Sequence, residues 1–237
     1  MRRKSVIIHS NMSSATASKR QKTNKIVHVS DFHMTDCTLH TLVKSNKCNL
    51  VPLTFASDRK SPVLVQLSGG GRIPPSFGID DKEMDGRRKV NLSFQIDDET
   101  EHEHLTRLRT EFIGMVGPVW DSWFPGQTTP SAEVMESFCT KLVGDRKKKS
   151  GGGEGTWAGL GKAAIEPADC ETNRCKIVHA ETGDKIAFAD VPGMTWSKIV
   201  LEFKYVYVQA TRKYGITKKL RYMSCTPDED DCDIEPL

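Results

Sequence analysis

Alternation of apolar and polar residues is clearest between positions 88 and 96. In "RKVNLSFQI", Val90, Leu92, Phe94 and Ile96 fall on one side of an extended chain, the period-two pattern of a half-buried strand. Two other runs, "NLVPLTFA" (49–56) and "PVLVQLS" (62–68), predict strands, and "GGGRIPPSFGIDD" (69–81) reads as a loop punctuated by glycine and proline. After Ile96 the period changes. Leu105, Leu108, Phe112, Met115, Val116 and Val119 recur at helical spacing, and Thr100 with Glu103 predicts a capping box. Gly117-Pro118 predicts the stop. A shorter helix is predicted from Thr129-Pro130, with Val134, Phe138 and Leu142 as its apolar face.

The segment "GDRKKKSGGGEGTWAGLGK" (144–162) reads as a flexible basic loop, and "CKIVHA" (175–180) and "KIAFA" (185–189) read as short strands. "SKIVLEFKYVYVQ" and "YGITKKLRYMSC" predict two long strands joined by "ATRK". The order is strands, helices, strands, without βαβ alternation. It predicts a mainly β, α+β fold: an antiparallel barrel or sandwich with one or two helices inserted on one side.

Length and charge refine this picture. A chain of 237 residues with 37% hydrophobic content fits one core with tails. The net charge of +3 hides a polarity. Residues 1–30 carry seven bases and no acid, and the last ten residues carry six acids and no base. Opposed ends of this kind suggest charged interaction tails. "VII" at 6–8 is too short for an export signal, and no run approaches a membrane span. The expectation is a soluble intracellular protein whose seven cysteines are reduced.

Most chemical motifs fail on inspection. Gly153-x-Gly155-x-x-Ala158 follows a charge run rather than a strand, so its dinucleotide-binding context is missing. A phosphate-binding P-loop would need glycine at Thr156 and a hydroxyl at Ala163. His28, His33, Cys37, His40 and Cys48 lack the paired spacing of a four-ligand zinc set. Asp80, Asp81, Glu83 and Asp85 alternate with bases as a solvated turn does. The nucleophile-elbow and zinc-protease signatures are absent, so the expectation is no enzyme, no cofactor and no metal.

The C-terminal hairpin is different. Strict alternation puts Ile199, Leu201, Phe203, Tyr205 and Tyr207 on one face, and Val200, Glu202, Lys204, Val206 and Val208 on the other. Arg212, Lys213, Tyr214, Lys218, Lys219 and Arg221 follow around the turn. Rings that stack on bases, interleaved with cations that follow phosphates, are what single-stranded nucleic acid requires. The acidic tail (Asp228, Glu229, Asp230, Asp231, Asp233, Glu235, ending at Leu237) then reads as a tethered competitor for the same groove. Its "IEPL" end supplies an apolar handle for partners.

In sequence order, "SPVLVQLSGGGRIPPSFGIDD", "KVNLSFQIDDE", a Leu/Phe-rich helix, "DSWFPG" and "KIVLEFKYVYVQATRKYGITKKLRYMSC" resemble single-stranded DNA-binding proteins of large nucleocytoplasmic DNA viruses. Those proteins are similar in turn to the OB-fold binders of short-tailed phages. The resemblance spans roughly residues 48–225. It implies an OB-like barrel with an inserted helix, no catalysis, and a tail that contacts replication proteins such as a DNA polymerase. The tail differs in ending on Leu237 where phage relatives usually end on an aromatic residue.

The resulting organisation is a basic, disordered extension (1–46), an OB-like nucleic-acid-binding domain (47–225) and an acidic tail (226–237). The expected function is single-stranded DNA binding in viral replication, recombination or repair, at a host nuclear or cytoplasmic replication site. Tyr205, Tyr207 and Tyr214 are assigned to stacking, with Trp157 as a further stacker beside Arg146, Lys147, Lys148 and Lys149. Arg72, Lys204, Arg212, Lys213, Lys218, Lys219 and Arg221 are assigned to phosphates. Partners would be single-stranded DNA and replication proteins, with no membrane, and a homodimer is compatible. Two rivals stand beside this reading: a structural or virion-associated barrel protein, and a transcription-related factor that binds duplex DNA.

Overall fold

Two long strands, β12 (Met194–Val208) and β13 (Tyr214–Pro227), form the antiparallel hairpin around which the rest of the sheet is arranged. The computed structural model describes residues 25–44, 48–57, 61–75, 79–84, 87–145, 147–148, 156–157, 159–165 and 175–227. β4 (Val63–Leu67) lies along Ile199–Phe203 of β12, and β3 (Asn49–Phe55) along Tyr205–Val208. The two-residue β5 (Gly71–Arg72) lies opposite Thr195 and Trp196. On the other side of the hairpin, β11 (Lys176–His179) runs parallel to β13. β10 (Gly159–Ile165) meets β13 at Ala164 and continues, antiparallel, into β7 (Arg87–Ile96) and β6 (Ile79–Met84).

β1 (Ile26–His28) runs parallel to β4 at the outer edge, and β2 (Cys37–Leu39) pairs with β3. A separate small ladder joins β8 (Lys147–Lys148) to β9 (Thr156–Trp157). The mainly β, α+β class is as expected, but three parallel pairings make the large sheet mixed rather than antiparallel. The sheet also curls. Asp97 N donates to Gly70 O at 3.3 Å, and Trp196 Nε1 to Gln95 O at 2.8 Å, which draws the end of β7 towards β5. Among the described residues no ladder joins these edges, and the sheet is open.

Val90, Leu92, Phe94 and Ile96 are buried, as their alternation requires. α1 (Glu99–Val116) lays Leu105, Leu108, Phe112 and Val116 on the core. Its cap is Asp98 rather than Thr100: Asp98 Oδ1 accepts from Glu101 N at 2.8 Å. Glu101, which a capping box would turn back to the cap, instead accepts from Ser68 N in the turn after β4. A 3-10 turn (Gly117–Val119) leads into α2 (Trp120–Trp123), and α3 (Ala132–Phe138) follows. α3 starts two residues later than Pro130 predicts, with Ser131 at its cap, and Met135 is buried while Val134 is exposed.

Three expectations are corrected. The expected disordered extension contains core. Val29, Phe32 and Met34 are fully buried, and Phe32 meets Phe55 and Phe203 edge-on at 6.1 Å each. α1 clamps this segment: Arg107 Nη2 donates to the carbonyls of Val29 (3.0 Å) and Phe32 (2.9 Å), and Glu111 accepts from Met34 N at 2.8 Å. Residues 1–24 lie outside the described residues.

The flexible basic loop (144–162) holds strands β8, β9 and the start of β10. Its glycines serve close packing there: a Cβ on Gly161 would stand 2.5 Å from the Phe94 ring. Finally, "KIAFA" is no strand. Lys185 makes one bridge to Val178, and Phe188–Asp190 is a 3-10 turn.

Phe32→Ala is expected to destabilise the fold by about 3–5 kcal/mol, as for other fully buried phenylalanines. Urea unfolding of full-length wild type and variant measures it; equal midpoints would mean that residues 25–44 are a detached arm after all.

Candidate nucleic-acid interface

The inward alternation of β12 runs through Ile199, Leu201 and Phe203, all buried, and then breaks. Phe203 pairs with Lys218, but the next pair is Val206 with Ile216, so β12 carries one extra residue: a β-bulge. Thr217 fills it. Its Oγ1 accepts from Tyr205 N at 3.1 Å and donates to Tyr205 O at 2.9 Å. Past the bulge the parity inverts. Val206 and Val208 take the core positions, and Tyr205 and Tyr207 become half-buried on the outer side. The expectation that both tyrosines share a face with Phe203 is therefore wrong in register. Lys204 Nζ stands 5.1 Å from the Tyr205 ring centroid.

Tyr207 lies across Gly215, its partner in the ladder, where a Cβ would come within 2.8 Å of the phenol oxygen. Its hydroxyl bonds Thr140 Oγ1. Thr140 opens a segment (139–145) that crosses the sheet, pinned by Thr140 N to Tyr214 O at 2.8 Å and Gly144 N to Leu160 O at 2.9 Å. His102 Nε2 adds a 3.0 Å bond to Gly144 O. Between this segment, β10 and β13 lies a cleft of about 560 Å³. Lys141, Lys162, Lys218, Tyr207, Thr140, Thr217 and Asn91 supply its polar lining, and among the described residues no carboxylate lines it.

Lys218 Nζ donates to Leu142 O. Burial first, and the neighbouring Lys162 second, lower its pKa from the usual 10.5 to about 8. Asp145, at the end of the crossing segment, is turned to Lys141, which holds its carboxyl below the ordinary range.

The other predicted residues divide. Tyr214 is a correction: it is fully buried, its hydroxyl donates to Met135 O at 3.0 Å, and Phe112, Trp120 and Trp123 surround it edge-on. A ring sealed among aromatics cannot stack on a base. Arg221 is a second correction: both Nε and Nη2 engage buried Glu202, with Nε to Oε2 at 2.6 Å, so this guanidinium neutralises a buried carboxylate. Arg212 and Lys213 are exposed at the hairpin turn, where Arg212 has φ 65° and lies over Phe138 at 4.9 Å. Lys219 is half-buried, in register with Glu202.

Arg72 is exposed on β5 opposite Thr195. That is roughly 35–40 Å along β12 from Tyr207 at about 3.3 Å per residue, so the structure does not bring it to the cleft. Trp157 belongs to strand β9 rather than a loop, paired with Lys147. Arg146, Lys149 and the tail residues from Asp228 to Leu237 lie outside the described residues.

Sequence reasoning missed Lys141, Lys162, Thr140 and Asn91, and also Lys198, whose Nζ lies 5.9 Å from the Tyr222 ring. For Lys162 a signal existed: "GLGKAAI" alternates small buried residues with exposed ones. Of the earlier metal candidates, His33 bonds Glu111, His40 bonds Thr54, and burial pushes the Cys37 thiol up to about 12. Among the described residues no three potential ligands gather.

No family model, no curated protein and no solved structure matches this chain.

Arg221→Met is expected to destabilise by about 3–5 kcal/mol, because it leaves Glu202 buried without its cation. Lys204→Met, at an exposed site, should stay within about 0.5 kcal/mol. Paired urea curves check both; equal effects would contradict the division into structural and surface cations.

Proposed function

We propose that this protein is a non-catalytic single-stranded DNA-binding protein of viral replication, recombination or repair, using an OB-like face of the curled sheet. The observation that carries the reading is the cleft beside Tyr207: three lysines, two hydroxyl-bearing threonines and a half-buried ring, with no carboxylate among the described lining residues. Lys141 is paired with Asp145, which leaves Lys162 and Lys218 to attract a phosphate, and outward tyrosines on the same hairpin offer π-faces to unpaired bases. Tyr205 with Lys204, and Tyr207 with Lys218, repeat that combination along β12 and β13. Arg212 and Lys213 at the turn would continue the cationic path.

In this reading the acidic segment 228–237 occupies the cationic face when no strand is bound. It yields when one arrives and is then free to meet a replication protein. Membership of the viral single-stranded DNA-binding proteins that the order of segments 48–225 leads one to expect, and a barrel-like closure of the sheet, are part of the same proposal.

Titration of dT12, rU12 and a 12-base-pair duplex at low and high salt tests the reading. Binding of dT12 well above duplex, weakening steeply with salt, is the expected result. Equal affinity for duplex would favour a duplex-binding factor, and no binding at low salt would favour a structural role. The optical signal has a defined origin. Of four tryptophans, Trp120, Trp123 and Trp196 are buried, so quenching by dT12 should come from Trp157 and vanish in Trp157→Phe; persistence would place that residue off the path. Deleting residues 228–237 should tighten dT12 binding severalfold at low salt and little at high salt; an unchanged affinity would remove the competing tail.

A further inference from the structure

We propose that the cleft under the 139–145 segment is a seat for one phosphate group, held between Lys162 and Lys218 with the Thr140 hydroxyl beside it. The inference deepens the single-strand reading, and depends on it only for the source of the phosphate.

Three strands of argument meet at this place. The first is composition. Lys218 comes from β13, Lys162 from β10 and Lys141 from the crossing segment, so unrelated parts of the chain bring lysines to one cavity, with the Lys162 and Lys218 amines near each other and that of Lys141 on Asp145. A merely solvated face would spread its amines into water. Here one amine is drawn in and set on a backbone carbonyl, Leu142 O. An ammonium has three donors, and this bond uses one.

The second is electrostatics. Lys218 loses hydration at its half-buried position and is repelled by the exposed Lys162 beside it; an anion between them offsets both effects. No carboxylate among the described lining residues does so now. The charged and titratable groups around Lys218 are Lys162 on β10, Lys141 and Asp145 on the crossing segment, Tyr207 on β12 and His102 on α1. Asp145 is committed to Lys141, and His102 to Gly144 O.

The third is size and rigidity. About 560 Å³ admits a phosphate with its sugar edge. The rim is held by the Tyr207–Thr140 bond and by the ladder bond between Gly144 and Leu160. The phosphate is a phosphodiester of the strand, a terminal phosphate, or free inorganic phosphate; the seat's chemistry is shared by all three.

A phosphate in this seat raises the Lys218 amine back towards its ordinary value. Binding therefore takes up a proton wherever the free amine is unprotonated, that is, above about pH 8. Calorimetric titration of the full chain at pH 7 and pH 9, in buffers of different ionisation enthalpy, reads this uptake. The probes are dT12 with hydroxyl ends, 5′-phosphorylated dT12 and inorganic phosphate. With hydroxyl-ended dT12 the expected result is close to one proton per site at pH 9 and nearly none at pH 7, and the two probes whose own phosphate titrates near neutrality are compared at pH 9. The uptake should be lost in Lys218→Gln, and affinity should fall about tenfold in Lys162→Gln.

Uptake with hydroxyl-ended dT12 assigns the seat to the strand backbone, and uptake only with the phosphorylated form assigns it to a terminus. Uptake only with inorganic phosphate keeps the seat and removes the single-strand reading. If dT12 binds without proton uptake and equally well to wild type and Lys162→Gln, the seat is overturned while the single-strand reading stands. Binding of none of the probes overturns both. Lys162 is exposed on β10, so Lys162→Gln decides the matter even if Lys218→Gln fails to fold.

Discussion

Thr217 holds one irregularity open, and the character of the outer face follows from it. A bulge leaves backbone groups that the ladder cannot pair. The Thr217 hydroxyl takes both of Tyr205's, accepting from its N–H and donating to its carbonyl. With those groups satisfied, β12 gains one residue between Phe203 and Val206 and its parity inverts. Two tyrosines that a regular strand would bury leave the core, and two valines replace them. A sheet with period two offers no intermediate choice: a one-residue slip exchanges the faces completely.

The same rule explains what could be read from the chain. Strands β3 and β7 and helix α1 were legible because burial follows one period along their described apolar positions, and β4 because it is a short apolar run, buried at Val63, Leu64 and Val65 alike. The bulge was not legible, since "YVYV" offers an apolar side chain to either face and the hydroxyl that permits the extra residue lies on the other strand. Tyr214 and Arg221 looked like surface residues for a related reason. Their roles depend on partners far away in sequence, Met135 and the α1–α2 aromatics for one, and Glu202 for the other. The buried segment 25–44 was hidden by its neighbour: the stretch before it is polar and basic, whereas 25–44 balances two lysines with two aspartates, buries Val29, Phe32 and Met34, and is clamped by Arg107 and Glu111 of α1.

The site and the fold share their supports. The aromatic group of Phe112, Trp120, Trp123 and Tyr214 fixes the start of β13 against the helices. From there Thr140 N reaches Tyr214 O, and the crossing segment is set over β10. The cleft is thus a by-product of how helices meet sheet, and its lysines arrive on three separate supports. Close packing of Gly161 on Phe94 keeps β10 near enough to present Lys162 there. A basic patch built this way keeps its shape without a ligand, which lowers the ordering cost of binding one.

Photo-crosslinking tests the central claim most directly, because it asks where an unpaired base lies. An oligonucleotide carrying 5-iododeoxyuridine is irradiated with the full-length protein, and adducts are mapped by mass spectrometry. The account predicts adducts on Tyr205 or Tyr207, the two rings that the bulge turns outward. Adducts confined to segments remote from the β12–β13 hairpin and its cleft, with none on either tyrosine, would contradict it.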